Sequence, residues 1–180
     1  MQVDRARQIA ETLLAEPLPR RWAHTQGVAA AARRLAPILG EDAELLEAAA
    51  WLHDIGYAPA IAHVGFHPLD GARYLRDVEH ADLRLCALVA YHTGGLDGAR
   101  EGGLGDELED EFAAPPEFLD DAIAYCDLTT SPDGNEVDAE ERVADIVRRY
   151  GAAHPVGKGA ISSSPSWFAS VRRIEARLAP

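Results

Sequence analysis

The sequence has few of the residues that mark secreted or membrane proteins. Its 180 residues include two cysteines, Cys86 and Cys126, too few for the disulfide framework of a small secreted domain. Both fall on predicted apolar helix faces, so we expect buried free thiols. No run of about 18 or more apolar residues occurs, and we therefore expect no membrane-spanning helix.

Basic residues are also scarce. There are 17 Lys and Arg residues against 30 Asp and Glu residues, which gives a formal net charge of −13. Such a surface repels nucleic acid backbones, so we expect no nucleic acid partner. A small phosphorylated substrate is not excluded, because metal ions in a pocket can reverse the local field. Residues 1–14 carry charges where a signal peptide is apolar, which favours a cytoplasmic protein.

Helical periodicity dominates the sequence and predicts an all-α fold, a bundle of about seven to eight helices in one domain. The predicted helices cover residues 3–14, 20–39, 42–54, from 67, 82–92, about 115–129, 138–150 and about 162–178. The Gly-rich, acidic segment 93–111 is predicted to be a loop, either a lid or disordered. A metal-site core would occupy about residues 20–128, with a C-terminal helical extension over residues 129–180.

Six histidine and aspartate side chains lie at the edges of these predicted helices, most of them at the end of an apolar stripe. They are His24, His53, Asp54, His67, His92 and Asp127. A buried carboxylate is unfavourable unless it is paired or binds a metal, and no Lys or Arg shares these stripes. Imidazole and carboxylate groups are ligands of divalent transition metals. The six groups are enough for two metals if one carboxylate bridges them.

The order of four of these residues resembles a known family. His24, the doublet His53-Asp54, and Asp127 resemble the motif of the HD superfamily of metal-dependent phosphohydrolases. The resemblance runs over about residues 20–127 and implies an all-helical HD-type bundle. It also implies hydrolysis of a phosphate ester or anhydride of a small phosphorylated substrate, commonly a nucleotide.

Two further histidines match the two-metal branch of that superfamily. His67 lies in the text HPLDGARYL and His92 in YHTGG, and both segments resemble those of HD enzymes that hydrolyse diadenosine tetraphosphate. The resemblance implies one or two divalent metals. Iron or manganese is expected first, with cobalt, nickel or zinc as alternatives. Many relatives carry a Lys a few residues after the doublet, whereas HDIGYAPA has no basic residue here.

The implied mechanism uses a water activated by the metals to attack phosphorus. The ligands of the first metal would be His24, His53, Asp54 and Asp127, and those of the second His67 and His92. Asp54 would bridge the two metals, and Asp54 and His53 are the candidate catalytic residues. The candidate substrate-binding residues are Arg100, Thr129 and Thr130.

Two other functions remain open on the sequence. The same ligand order occurs in HD-type mixed-valent di-iron oxygenases, which tend to carry a Lys one turn after the fourth histidine. Here residues 93–96 read TGGL, which favours hydrolysis. A non-catalytic nucleotide-binding module is the second alternative, although a complete set of buried polar ligands has a stability cost without a metal. The oligomeric state is also open, and a homodimer is compatible with the sequence.

Overall fold

The computed structural model describes residues 1–179, and the predicted all-α fold is confirmed. This range contains eleven α-helices: α1 (Val3–Leu14), α2 (Pro19–Arg34), α3 (Ala36–Leu39), α4 (Ala43–Leu52), α5 (His67–Asp77), α6 (Leu83–Tyr91), α7 (Gly95–Glu101), α8 (Gly105–Glu111), α9 (Glu117–Leu128), α10 (Ala139–Tyr150) and α11 (Pro155–Leu178). Two 3-10 turns, Gly40–Asp42 and Ile55–Tyr57, flank α4. Within residues 1–179 the only β pairing is one isolated bridge between Thr130 and Glu136.

Helix α4 is the centre of the bundle. Residues 48–52 are all buried, and helices α1, α2, α6 and α9 pack against α4. The second half of α4 is therefore apolar on every side, and a segment of that kind must lie in the interior. The doublet that follows α4 is therefore carried into the core.

The C-terminal helices α10 and α11 pack against α9 and against each other. A small apolar cluster that includes Leu128, Val143 and Val171 joins them. Both cysteines are buried free thiols, as predicted. None of the helices within residues 1–179 has the length and apolar character that crossing a bilayer requires.

The prediction of an irregular or disordered loop over residues 93–111 is wrong. This segment forms α7 and α8, in which Ala99 and Leu108 are completely buried. Helices of two turns are unstable in isolation and depend on packing against the rest of the protein. The two buried apolar side chains hold these short helices on the bundle, although the composition of the segment is Gly-rich and acidic.

Two further helix boundaries differ from the prediction because of proline. The helix predicted over residues 20–39 is interrupted at Leu35, since Pro37 has no amide hydrogen to continue it. The last helix begins at residue 155 rather than near 162 and contains Pro165. The Ser164 hydroxyl donates to the Ile161 carbonyl (2.9 Å), the group that Pro165 leaves without a donor. The interrupted helix, with α7 and α8, raises the count above the predicted seven to eight.

Candidate metal centre

The structure brings the six predicted ligand residues together, although they come from five helices or helix ends. They form two groups of three, and in each group the potential ligand atoms lie within 4.8 Å of one another. The first group is His24, His53 and Asp127, and the second is Asp54, His67 and His92. His24 lies within α2 and Asp127 in the last turn of α9, while the doublet follows α4, His67 begins α5 and His92 follows α6.

Asp54 joins the two groups. Its Oδ2 lies 3.2 Å from His53 Nε2 and 3.8 Å from His24 Nε2. Its Oδ1 lies 3.3 Å from His67 Nε2. One carboxylate oxygen thus faces each group, which is the arrangement that a bridging ligand needs.

Backbone carbonyls fix the orientation of three imidazole rings. The Nδ1 atom of His53 bonds to the Ala50 carbonyl at 2.8 Å, and that of His92 to the Val89 carbonyl at 2.6 Å. His24 Nδ1 bonds to the Ser131 carbonyl at 3.0 Å. Because a carbonyl can only accept, each Nδ1 carries the proton. With Nδ1 directed at a carbonyl, each ring turns its Nε2 atom to the centre, the orientation that metal-ligating histidines usually have.

The donor set fits a divalent metal ion. Within residues 1–179, His53 Nε2 is buried without a hydrogen-bond partner. His67 Nε2 and His92 Nε2 lie only 3.1 Å apart. A buried nitrogen without a hydrogen-bond partner, as at His53, is unfavourable, and a cation bound between the imidazoles and the carboxylates would satisfy it.

The electrostatics favour the protonation states that bind metals. Burial, assisted by the charge of neighbouring histidines, holds the pKa of His67 well below its ordinary value and lowers that of His92. Burial alone would raise the pKa of Asp54, but Arg21 and His53 lower it well below the ordinary range. Neutral His67 and His92 therefore face an ionised carboxylate, whereas the charge of Asp54 raises the pKa of the buried His53.

The expectation that no arginine is available to the buried carboxylates is wrong, because arginines approach them from other helices. Arg21 Nη1 donates to Asp54 Oδ2 at 2.8 Å, and Arg142 Nη2 lies 4.0 Å from Asp127 Oδ1. Arg21 precedes His24 by three residues, so the two share one side of α2. That spacing is the sequence signal that would have identified Arg21.

Tyr57 also belongs to the site, although no sequence pattern indicates it. Its ring stacks on the imidazole of His67 with 3.9 Å between centroids. The guanidinium of Arg21 lies 4.0 Å from the centroid of the same ring. Tyr57 therefore holds His67 and Arg21 in position by stacking and cation–π contacts.

Thr93 is a further residue that the sequence did not reveal. Its hydroxyl donates to Asp127 Oδ2 at 2.7 Å, while His24 Nε2 lies 3.0 Å from Asp127 Oδ1. Its φ angle is +49°, a conformation that is strained for a β-branched residue by about 1–3 kcal/mol. The strained backbone thus places a hydroxyl where it orients the Asp127 carboxylate.

The three predicted substrate-binding residues make their hydrogen bonds to groups other than the six ligand residues. Arg100 is exposed and pairs with Glu109 at 3.2 Å. The hydroxyls of Thr129 and Thr130 donate back to carbonyls of α9, both at 2.7 Å. A role of these three residues in substrate binding stays a prediction.

A cavity of about 170 Å³ opens beside His24. Its wall is unusually basic for so acidic a protein. The residues that line it are Arg20, Arg21, His24, Tyr57, Pro132, Arg142, Ile146, Arg149, Tyr150 and Val156. Four guanidinium groups next to two potential metal sites form a surface that attracts anions.

Comparison with protein families agrees with this geometry. The sequence matches the HD domain over residues 21–147, more than half of the chain. No curated protein and no solved structure gives a significant match. HD domains are generally hydrolases that bind divalent metals, and the two groups of His and Asp side chains could hold such ions. Both the motif and the fold that positions it show that this chain belongs to the HD-domain family.

Proposed function

We propose that the protein is a metal-dependent phosphohydrolase that cleaves a phosphate ester or anhydride of a small phosphorylated metabolite, a nucleotide in the first instance. The observation that carries the proposal is the pair of ligand groups joined by Asp54 beside an arginine-lined cavity. The ligand groups supply the metal chemistry, and the arginines supply affinity for a phosphorylated substrate.

Each ligand group would hold one divalent cation. His24, His53 and Asp127 would bind the first, His67 and His92 the second, and Asp54 both. Nitrogen and oxygen ligands of this kind suit iron or manganese, with cobalt, nickel or zinc as alternatives. When bound, such ions activate a water molecule as a nucleophile and neutralise the charge of the phosphoryl group.

Arg21 is the residue best placed to bind the scissile phosphate. It is paired with Asp54 (2.8 Å) and also lines the cavity. Cations bound at Asp54 would compete with Arg21 for the carboxylate charge. The guanidinium could then turn its donors to a phosphate oxygen, while the Tyr57 ring keeps it at the mouth of the site.

The test combines elemental analysis with an activity screen. Protein purified without chelator is expected to contain a divalent transition metal and to release orthophosphate from at least one member of a panel of phosphorylated metabolites. Because Asp54 contacts both groups, Asp54→Ala is expected to lose metal from both and to reduce turnover by a factor of about 1,000 or more.

The matched control is His63→Ala, which removes an exposed histidine outside the two ligand groups. It should keep wild-type metal content and activity. Full metal content in Asp54→Ala would contradict the bridging role. Oxygen consumption by a reduced di-iron form would contradict hydrolysis. Tight binding of a nucleotide that is not turned over, with each of several metals present, would contradict it as well.

A further inference from the structure

Arg142 is a buried arginine whose donors are not used by the protein. Only 8% of the residue is exposed. Within residues 1–179, its Nε and Nη1 atoms are buried and have no hydrogen-bond partner. A guanidinium carries five N–H donors and is always charged, so leaving it buried and unbonded has a large free-energy cost. Such a group indicates a missing anionic partner.

The cavity beside His24 is where that partner would bind. Arg142 lines it, together with three other arginines that each pair with a carboxylate. Those pairs are Arg20 with Asp133, Arg21 with Asp54, and Arg149 with Asp145. Among the four arginines in the cavity wall, Arg142 is the one that makes no hydrogen bond to a described residue.

The sequence of α10 directs a polar face to this cavity. Arg142, Ile146, Arg149 and Tyr150 line the cavity, and their spacing of four, three and one places them on one side of the helix. Val143, on the adjacent side, is buried in the apolar cluster with α9 and α11. The helix thus packs by one face and presents two arginines on another.

Neutralisation of Asp127 does not account for Arg142. The distance from Arg142 Nη2 to Asp127 Oδ1 is 4.0 Å, beyond hydrogen-bond range. Asp127 is already bonded to His24 and to Thr93. The proximity does show that a group bound by Arg142 would lie directly beside the metal cluster.

We propose that Arg142 binds an anionic group of the substrate in this cavity. It is a specificity-determining residue, and the substrate carries two anionic groups: the one that reacts at the cluster and a second one held by Arg142. Either a phosphate or a carboxylate can accept two hydrogen bonds from a guanidinium group. The identity of the reacting group rests on the proposed function, whereas anion binding by Arg142 does not.

The test measures binding of three small, stable probes to the 180-residue protein as purified, by isothermal titration calorimetry. Methylphosphonate offers one anionic group, phosphonoacetate adds a carboxylate and methylenediphosphonate adds a second phosphonate. We expect the two-group probes to bind more tightly. Arg142→Gln should weaken the preferred two-group probe by about tenfold or more, as for loss of a charge-assisted hydrogen bond, and leave methylphosphonate unchanged.

Two variants make the result interpretable. Arg142→Lys keeps the charge but not the fork, and we expect it to keep only part of the preference. Arg84→Gln removes an exposed arginine that pairs with Asp42 at the far end of α6 from His92. That variant should bind all three probes as the wild type does.

Several results would overturn the proposal. One is equal affinity of wild type and Arg142→Gln for every probe. Another is a loss of metal in Arg142→Gln with equal weakening of all probes, which would mean that Arg142 serves Asp127. Failure of the proposed function would give a different result. The two-group probes would still bind more weakly to Arg142→Gln than to the wild type, but no phosphorylated compound would be hydrolysed.

Discussion

Two adjacent carboxylates on α9 differ in their hydrogen bonding: Asp121 is paired with an arginine, and Asp120 has an oxygen without a partner among residues 1–179. Asp121 accepts two hydrogen bonds from Arg173 of α11, at 2.5 and 2.6 Å. The Oδ1 atom of its neighbour Asp120 is buried and has no partner among residues 1–179. Burial and the charge of Asp121 raise the pKa of Asp120 to about 6. Asp120 therefore opposes folding in its ionised form.

The sign of this effect fixes its pH dependence. The pKa of Asp120 is higher in the folded protein than the ordinary value of 3.8, so the folded state binds the proton more tightly. The stability cost is absent below about pH 4 and grows as the pH rises through about 6. We expect Asp120→Asn to raise the free energy of unfolding at pH 8 by up to about 3 kcal/mol.

Urea unfolding of both proteins between pH 4 and pH 8 measures this difference, which should shrink towards zero at the acid end. The control is Asp110→Asn, at an exposed position of α8, where a surface substitution should change stability little. A stabilisation of Asp120→Asn that is equal at every pH would rule out the titration as its cause.

The sequence predicted the residue types of the centre better than their surroundings. Asp127 and His92 were found because each follows an apolar stripe by one helical turn. Thr93 could not be found, because its role depends on a left-handed backbone that no pattern encodes. Arg142 was missed since its α10 position approaches Asp127 only through tertiary packing.

At the scale of elements, a close backbone crossing holds the doublet next to α5. Gly56 lies in the 3-10 turn that follows Asp54. A Cβ atom at Gly56 would lie 2.0 Å from the carbonyl oxygen of His67 and 2.8 Å from the amide nitrogen of Gly71. Both contacts are backbone atoms of a helix, which cannot move aside individually. The missing side chain is what allows Asp54 and His67 to face each other.

Gly56→Ala should therefore separate the turn from α5. We expect a loss of unfolding free energy of about 2 kcal/mol or more, at the upper range for overpacked sites. Metal affinity should fall as well, because Asp54 Oδ1 would move away from His67. Thermal unfolding and metal titration of the variant measure the two effects.

Gly102→Ala provides the comparison for this substitution. Its φ is −85°, and the nearest atom to an added Cβ lies 3.4 Å away, an ordinary contact. This variant should fold and bind metal like the wild type. Equal behaviour of the two variants would show that the crossing at Gly56 tolerates a side chain.

Helix boundaries were predicted correctly where the local sequence carries a clear helical pattern, and were missed where it does not. Helix α1 matches its prediction because four buried residues repeat at helical spacing: Ala6, Ile9, Ala10 and Leu14. Helices α7 and α8 were hidden by seven-residue lengths and a glycine-rich composition. The early start of α11 was hidden by Pro165, whose disruption is compensated by the Ser164 hydroxyl.

At the scale of the whole molecule, the centre exists only when the bundle is assembled. His24 and Asp127, whose side chains meet at 3.0 Å, are 103 residues apart in sequence. Their helices, α2 and α9, both pack on α4. The all-α fold was predictable from periodicity, but the convergence of these helices follows from packing that no single segment contains.

Metal binding is therefore expected to stabilise the whole fold. A ligand that binds the native state and not the unfolded chain adds about 2.7 kcal/mol at a concentration 100 times its Kd. For a protein of this size each kcal/mol raises Tm by about 2–4 °C, so we expect a difference of about 5–10 °C between metal-loaded and chelator-treated wild type. Differential scanning calorimetry, with manganese or iron added back to the chelated sample, measures it.

The Asp54→Ala variant separates this linkage from a general effect of chelator or salt. Since it lacks the carboxylate shared by both ligand groups, its Tm should barely respond to either treatment. A wild-type Tm that is the same with and without metal would mean that the six side chains do not bind an ion tightly in the native state.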